Sequence, residues 1–268
     1  MYYGIDGNSF LYNDEDSYKA KSKSLYLNNN NLVYWEDRRG GNIYIGDTPF
    51  TTYYTYGAFV DNSGLVMSKQ LASYDEDTNI GFDQKFPDIK SINDDFLLSF
   101  VGLNYSDASN KIFYQMLDDD LEPLNASGSV LIDSEENTSQ GSNRSYTTVA
   151  TVDEAHFIYS KNGYPTYLNE IFTATIDNAG TISQYPDTLY SQANIYSNLT
   201  VKDAYSSMDD KLVIIFEEQY VSGNTILKSY VQPGGLVPLS NDDGVNQQFR
   251  DAVKTDNGVF VVWEENKS

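Results

Sequence analysis

The sequence predicts an all-β fold, a five-bladed β-propeller of four-stranded blades that forms a single domain over residues 1–268. Two observations support this prediction. Short apolar or alternating runs, separated by Asn, Asp and Gly, recur along the whole chain, and this pattern is typical of strands and turns. The runs also recur at intervals of 47 to 65 residues, and a repeat near that length with several strands per unit indicates a propeller.

The most apolar run of each repeat is predicted to be its second strand, strand B. These runs read NLVYWED, FLLSFVG, FIYSKN, LVIIFEE and FVVWEE, and their equivalent positions are Trp35, Phe100, Ser160, Phe216 and Trp263. A less apolar strand A precedes each run, and a hairpin of strands C and D follows it. Asp and Gly occupy the hairpin turns, as in YGAFVDNSGLVM and IFTATIDNAGTI. These residues tolerate the positive φ of tight turns.

The two ends of the chain complete the fifth repeat. The C-terminal FVVWEE copies LVYWED of the first repeat, and the N-terminal MYYGID copies the NIYIGD that follows it. Residues 249–265 would supply strands A and B of the last blade, and residues 2–12 its strands C and D. We therefore expect N-terminal strands to close the last blade, a two-plus-two closure that leaves no open sheet edge in the ring.

The composition disfavours several classes of partner. The chain has 17 basic and 39 acidic residues, a formal net charge of −22, which would repel nucleic acid and anionic membranes. Its apolar runs fall short of the roughly 18 residues that a membrane-spanning helix needs. We expect no nucleic-acid partner and no membrane insertion. The lack of cysteine excludes disulfides, thiolate metal sites and a Cys nucleophile.

One stretch points to a known group of proteins. VYWEDRRGGNIYI, starting at Val33, resembles the repeat of prokaryotic cell-surface propellers, in which a strand ending in Trp-x-Asp is followed by Arg, Gly or Asn, and Ile-Tyr. Those repeats also carry an Asp-x-x-Gly turn, similar to VDNSG and IDNAG here. Repeats two to four lack the Trp and the Arg. The resemblance implies a propeller fold and an extracellular or cell-surface location, and it fits binding, adhesion and scaffolding roles alike.

The loops of one propeller face are the first candidate site, because rigid scaffolds present function on loops. The B–C loops carry aromatic and basic side chains that suit a glycan or a peptide: Tyr105, Tyr164, Tyr167, Tyr220, Arg38 and Arg39. The D–A connections on the same face are acidic, and loop oxygens suit Ca²⁺, the one cofactor candidate. Its candidate ligands are Asp14, Asp16, Asp75 and Asp77. The alternatives are abundant Tyr without a ligand role and a solvated acidic rim.

Three carboxylates on the first strand of a blade form the second candidate site. Asp88, Asp203 and Asp251 take the same position of strand A, which the alignment assigns to Ala20 and Thr148 in the other two repeats. Strand A lies nearest the axis of a propeller, so we expect the three carboxylates to converge at the channel mouth. There they would hold a cation or an ordered water.

The alternative is a structural role, in which these carboxylates form ion pairs with neighbouring basic residues. A basic residue stands next to or near each of them along the chain, namely Lys90, Lys202 and Arg250. Pairing within the strand would neutralise the three carboxylates and leave no site at the channel mouth.

From these features we expect a non-enzymatic, extracellular binding or adhesion propeller. It would recognise carbohydrate through the loop-rich face, with calcium assisting, and a surface protein is the other expected partner. The first alternative is a glycoside hydrolase of the five-bladed type with Asp88, Asp203 and Asp251 as catalytic carboxylates, since two carboxylates suffice for that chemistry. Against it, we find no glutamate at an equivalent inner position to act as the acid. The second alternative is a structural domain of a larger surface protein, filament or virion.

Overall fold

The computed structural model describes residues 19–27, 30–37, 42–45, 48–51, 53–61, 64–65, 69–71, 82–104, 109–124, 130–131, 145–151, 153–162, 168–193, 197–206, 211–220, 222–239, 245–256 and 258–266. The regular elements of these residues are β-strands throughout, which confirms the predicted all-β class. Within these ranges there is no helix of a length and apolarity that would cross a membrane. The chain divides into two compact units, residues 1–134 and 135–268, and each is described by itself.

The first unit contains two large antiparallel sheets and a separate hairpin. Its strands are β1 (Lys19–Leu27), β2 (Asn30–Asp37), β3 (Asn42–Ile45), β4 (Thr48–Thr51), β5 (Tyr54–Asp61), β6 (Gly64–Leu65), β7 (Lys69–Gln70), β8 (Phe82–Ile92), β9 (Asp95–Asn104), β10 (Ser109–Leu117) and β11 (Val130–Leu131). The first sheet has the order β1-β2-β5-β6, with β7 also paired to β5, and the second has the order β8-β9-β10-β11.

The second unit continues the same pattern. Its strands are β12 (Tyr146–Ala150), β13 (Glu154–Asn162), β14 (Leu168–Asp177), β15 (Ile182–Ala193), β16 (Ser197–Ser206), β17 (Leu212–Tyr220), β18 (Thr225–Gln232), β19 (Gly235–Pro238), β20 (Asn246–Thr255) and β21 (Gly258–Asn266). They form the sheets β12-β13-β14-β15, β16-β17-β18-β19 and β20-β21. The predicted order A-B-C-D is therefore confirmed in four repeats, and the order A-B in the fifth.

The hairpin β3–β4 is separate from the C–D hairpin predicted for the first repeat, YGAFVDNSGLVM, which β5 and β6 form. The NIYI stretch, Asn42–Ile45, does not join the sheet but pairs with Thr48–Thr51. The strand-C position next to β2 belongs to β5, which pairs along β2 from Asn31 to Asp37. Because β5 occupies that edge of β2, the NIYI strand finds its partner in its own hairpin. Residues 2–12, which copy this stretch, lie outside the described residues, so the closure of the fifth blade stays a prediction.

The turn between β14 and β15 shows how the hairpins form. The Asp177 Oδ1 atom accepts the backbone N–H groups of Ala179 at 3.0 Å and Thr181 at 2.8 Å. Gly180, the last residue of the predicted DNAG turn, has a φ of 77°. That left-handed conformation is accessible to glycine without a steric cost, so the sequence placed this turn correctly.

A β-bulge sets the register of strand A against strand B. In β16 the pair Val201–Phe216 is followed by Asp203–Ile215, and in β20 the pair Phe249–Trp263 is followed by Asp251–Val262. In both strands the skipped residue is basic and the next residue is the aspartate. A bulge inserts one unpaired residue and bends its strand, so both aspartates lie immediately after a bend.

The pairing also corrects the alignment of the first and third repeats. Each of the three aspartates pairs with the residue just before the aligned aromatic residue of strand B. The pairs are Asp88–Ser99, Asp203–Ile215 and Asp251–Val262. In the first repeat the residue so paired is Lys23, opposite Tyr34, and in the third it is Tyr146, opposite Tyr159. The assignments of Ala20 and Thr148 to this position were therefore wrong. Alignment by sequence alone cannot count a bulge, and one inserted residue moves each following side chain by one position.

Each unit has its own apolar core between neighbouring sheets. The core of the first unit consists of Leu32, Tyr34, Leu71, Ile89, Phe96, Leu98, Phe100, Phe113, Leu117 and Leu121. The core of the second consists of Val149, Ile158, Ile171, Leu199, Val201, Ala204, Leu212, Ile214 and Phe216. In both units strand A of one sheet packs against the preceding sheet, as β8 does on β2 and β5, and β16 on β12 and β13. The residues after the bulge are thereby brought next to the preceding blade.

Candidate functional site

Asp203 and Asp251 occupy matching positions on neighbouring sheets of the second unit. Asp203 is half-buried and Asp251 is exposed. In each case the Oδ1 atom accepts the backbone N–H of the following alanine, at 2.8 Å from Ala204 and at 2.9 Å from Ala252. The local sequence, an aspartate and an alanine directly after a bulge, therefore builds the same carboxylate arrangement twice.

The hydroxyl of Tyr205 joins these two strands. It lies 2.6 Å from the Asp203 Oδ2 atom and 2.6 Å from the carbonyl oxygen of Ala252 on the neighbouring sheet. Burial raises the pKa of Tyr205 above its usual value of 10.0, and the hydrogen bond to Asp203 and the charges of Asp203 and Asp251 raise it further. The phenol therefore stays protonated at neutral pH and acts as a donor, with both carboxylates in electrostatic reach.

The basic residues beside these two aspartates have other partners. Lys202 forms an ion pair with Glu217 at 2.8 Å, and Arg250 pairs with Glu264. Glu217 also accepts the backbone N–H of Phe249 with its Oε1 atom, at 2.7 Å. The predicted pairs of Lys202 with Asp203 and of Arg250 with Asp251 are thus replaced by pairs to glutamates of strand B. Lys202 and Arg250 are the bulged residues, and each contacts a glutamate on strand B of its own sheet.

Asp88, in the first unit, has a different environment. Its Oδ1 atom lies 3.3 Å from Lys23 Nζ and its Oδ2 atom lies 3.3 Å from Lys90 Nζ. The predicted ion pair with Lys90 is therefore confirmed. The Tyr34 hydroxyl also interacts with Asp88, and its pKa lies above the usual 10.0 because of burial first and the Asp88 charge second. This buried carboxylate is neutralised by two lysines, in keeping with a structural ion cluster.

Tyr220 is the one predicted loop residue within the described part of the chain. It ends β17 at the start of a tight hairpin, where its carbonyl accepts the N–H of Gly223 at 2.9 Å and its N–H donates to the Asn224 carbonyl at 2.8 Å. The B–C loop predicted over residues 218–224 is therefore short, since β17 extends to Tyr220 and β18 begins at Thr225. Tyr220 is half-buried, and its ligand role stays a prediction.

The other predicted ligand residues lie outside the described residues, and their roles stay predictions. They are Arg38, Arg39, Tyr105, Tyr164 and Tyr167 for a glycan or peptide, and Asp14, Asp16, Asp75 and Asp77 for calcium. Within the described ranges, no cluster of three or more His, Cys, Asp or Glu side chains is arranged to hold a metal ion. The calcium prediction concerns other residues and is not addressed by that finding.

Tyr205 and Glu217 were not singled out from the sequence, although a signal for Tyr205 was present. Alternate residues of a strand share a face, so a tyrosine two residues after Asp203 stands on the same side. Glu217 gave no such signal. Its contact with Phe249 joins residues of different repeats, and strand alternation within one repeat carries no information about it.

Comparison with known proteins identifies the fold. No protein-family model and no curated protein matches the chain. The structure is similar to an α-L-arabinanase of Penicillium chrysogenum complexed with arabinobiose, with 11% sequence identity and a TM-score of 0.57 over 91% of this chain and 74% of that one. It is also similar to Bacillus subtilis levansucrase in complex with oligosaccharides, with 8% identity and a TM-score of 0.55 over 86% and 72%.

A third similar structure is a family 117 glycoside hydrolase of the marine bacterium Zobellia galactanivorans, with 9% identity and a TM-score of 0.52 over 84% of this chain and 69% of that one. At these identities the likeness shows a shared fold. Together with the sheet order, it makes this chain an all-β protein with a propeller fold.

The expectation of a non-enzymatic binding or adhesion propeller is corrected by these comparisons. The proteins that share the fold are a glycoside hydrolase, an arabinanase and a levansucrase, and none of the three is a binding module. A glutamate of strand B also lies close to the inner strands, since the Glu217 carboxylate contacts both Lys202 and Phe249 of two successive A strands.

Proposed function

We propose that this protein is a glycoside hydrolase of the propeller type, with Asp203 and Asp251 as its pair of carboxylates. The observation that supports the proposal is their matched placement. Both follow a bulge on strand A of neighbouring blades, and the charges of both act on the same Tyr205 hydroxyl. The nearby cations Lys202 and Arg250 form ion pairs with Glu217 and Glu264 of strand B.

Two carboxyl groups on either side of a glycosidic bond are sufficient for its hydrolysis. One gives its proton to the leaving oxygen as the bond from that oxygen to the anomeric carbon breaks. The other either takes a proton from water as that water attacks the anomeric carbon, or attacks this carbon itself and forms a glycosyl ester. In the second case water hydrolyses the ester, and the first carboxylate takes the proton of that water. A separation of about 5–5.5 Å leads to retention at the anomeric carbon and about 6.5–9.5 Å to inversion.

The hydrogen bonds suggest which carboxylate takes which role. Asp203 accepts from both the Ala204 N–H and the Tyr205 hydroxyl, and donors of this kind stabilise the ionised form of a carboxyl group. Asp203 therefore suits the base or the nucleophile. Asp251 accepts the Ala252 N–H and is exposed, so its other oxygen can reach a substrate. Asp251 is left as the proton donor of the pair, a role that requires its carboxyl group to be protonated when the substrate is bound.

We also propose that the propeller has five blades and that strands from residues 2–12 complete the last one. The two-stranded sheet β20–β21 exposes Val253, Phe260 and Val262, of which Phe260 is 62% exposed. An isolated two-stranded sheet with an apolar face is marginally stable in water, which supports the addition of strands from residues 2–12 and a count of five blades. A polysaccharide substrate would also fit an extracellular location, a glycan partner and loops that bind calcium.

Turnover of two polymers tests the proposal. The unmutated protein should release sugars from linear arabinan or from levan, and Asp203→Asn and Asp251→Asn should each lower kcat by on the order of a hundredfold or more, because a positioned acid or base contributes about that factor. Asp256→Asn is the matched control, since Asp256 is an exposed aspartate in the β20–β21 turn. Circular dichroism should show that all variants are folded. No release from either polymer by the unmutated protein would overturn the proposal.

A further inference from the structure

Short polar contacts lead from one carboxylate to the other through the backbone of Ala252 and the hydroxyl of Tyr205. Asp251 accepts the N–H of Ala252 at 2.9 Å. The carbonyl of the same Ala252 lies 2.6 Å from the Tyr205 hydroxyl, and that hydroxyl lies 2.6 Å from Asp203. One main-chain residue and one phenol therefore lie between Asp251 and Asp203, and the phenol hydroxyl is within hydrogen-bond distance of both the Ala252 carbonyl and Asp203.

We propose that Tyr205 is a positioning residue that sets the separation and relative orientation of the Asp203 and Asp251 carboxylates. The inference rests on the proposed function for its effect on catalysis. Its structural basis is independent of that function, because the hydrogen bonds of Tyr205 cross from one blade to the next. A phenol ring adds few rotatable bonds to the linkage, which makes it a stiff spacer between two sheets.

The spacer matters because carboxylate separation decides the course of glycoside hydrolysis. Asp203 is held by the Ala204 N–H within its own strand and by Tyr205 from two residues away. Without the phenol hydroxyl, the Oδ2 atom would lose the contact that relates it to the next blade. The reacting groups would then keep their chemistry but lose their mutual placement, which costs rate rather than binding.

The hydroxyl has one proton for two acceptors. When it donates to the Ala252 carbonyl, the Asp203 Oδ2 atom has lost a donor, and when it donates to Asp203 the carbonyl has lost one. The charged groups that act on this hydroxyl are Asp203 and Asp251, and the nearest cation of the strand, Lys202, is paired with Glu217. Removing the hydroxyl takes this donor from the Asp203 carboxylate, so the pH profile of the site should change with it.

The first test replaces the hydroxyl alone. With linear arabinan or levan as substrate, Tyr205→Phe should lower kcat on the order of tenfold, the effect of one lost hydrogen bond to a charged group, and leave KM within a factor of about two. The acidic limb of the profile of kcat against pH should also move. Tyr190→Phe is the control, since it removes the hydroxyl that donates to Gln192 at 3.0 Å in the same unit. It should leave kcat and the pH profile unchanged.

The second test does not depend on activity. The melting temperatures of Asp203→Asn, Tyr205→Phe and the double variant form a cycle, and we expect the two single effects to be strongly non-additive because the residues share a hydrogen bond. Additive shifts would overturn the inference, and so would a Tyr205→Phe variant with normal kcat and pH profile in an active protein. If the protein cleaves neither polymer, the proposed function fails, while the cycle still decides whether Tyr205 positions Asp203.

Discussion

The Glu217 side chain accepts the backbone N–H of Phe249, on the next blade, at 2.7 Å. The first unit repeats this relationship, because Glu36 accepts the N–H of Phe86 at 2.6 Å. Both glutamates directly follow the aligned position of strand B, and both N–H groups lie at the bulge of the next strand A. A bulge frees a backbone N–H from the ladder, and the preceding blade supplies the acceptor that the bulge requires.

Removing this acceptor should destabilise the second unit. Glu217→Ala leaves the Phe249 N–H and the Lys202 ammonium without this carboxylate, and a half-buried donor without its partner costs about 1–3 kcal/mol of unfolding free energy. Glu217→Gln retains a carbonyl oxygen and should recover most of that loss. Glu264→Ala, at the exposed equivalent in β21, should stay within about 0.5 kcal/mol. Urea denaturation compares the three, and equal effects of Glu217→Ala and Glu264→Ala would contradict the inter-blade role.

The two tryptophans offer a matched pair of substitutions. Each donates its indole N–H to the carboxylate two residues later, Trp35 to Asp37 at 3.1 Å and Trp263 to Glu265 at 3.3 Å. Asp37 is fully buried, whereas Glu265 is exposed. Trp35→Phe should therefore cost about 2 kcal/mol or more of unfolding free energy, and Trp263→Phe less than about 1 kcal/mol. Unfolding should be followed by circular dichroism, because replacing a tryptophan changes the fluorescence signal itself. Similar losses for both variants would show that burial does not govern this contact.

Breaking the ion pair between Lys228 and Glu218 should lower the free energy of unfolding. The atoms lie 2.5 Å apart, and the Glu218 side chain is 0% exposed. Although burial lowers the pKa of Lys228, the hydrogen bond and charge of Glu218 outweigh it, so the net pKa is raised. Lys228→Met strands a buried carboxylate and should cost about 3–5 kcal/mol at neutral pH. Adding Glu218→Leu should restore most of it, and a double variant as unstable as the single one would argue against the charge as the cause.

The buried phenol of Tyr34 should make the folded protein lose stability at alkaline pH. Burial, and then the Asp88 charge, raise the pKa of Tyr34 above its usual 10.0. The unfolded chain therefore releases this proton first, so the contribution is complete below pH 10 and declines as the pH rises toward the folded pKa. Tyr34→Phe should make the fall in unfolding free energy between about pH 9 and 11 shallower. Tyr26→Phe, which removes a phenol that is 65% exposed, is the control, and equal slopes in both variants would refute the assignment.

Local patterns were enough to predict the strands and their order. The apolar runs around Trp35, Phe100 and Phe216 became β2, β9 and β17, and the DNAG turn became a hairpin with Gly180 at positive φ. Period-two alternation and turn chemistry act between residues close in the chain, so they can be read without a structure. The pairing of the NIYI stretch within its own hairpin was not predicted, because it depends on β5 occupying the edge of β2, which a local pattern does not describe.

The sequence placed Asp203 and Asp251 on matching strands, and it carried no information about their contacts. Asp203 and Asp251 were found because the repeat places them in matching strands. That Lys202 and Arg250 pair with glutamates, that Asp88 lies between Lys23 and Lys90, and that Tyr205 reaches Ala252 followed from the tertiary structure. Whether a hydrogen bond or an ion pair forms depends on differences of a few tenths of an ångström in the distance between two atoms. Such distances are determined by the bulges and by the packing of one blade on the next, which brings together residues as far apart in the chain as Lys23 and Asp88.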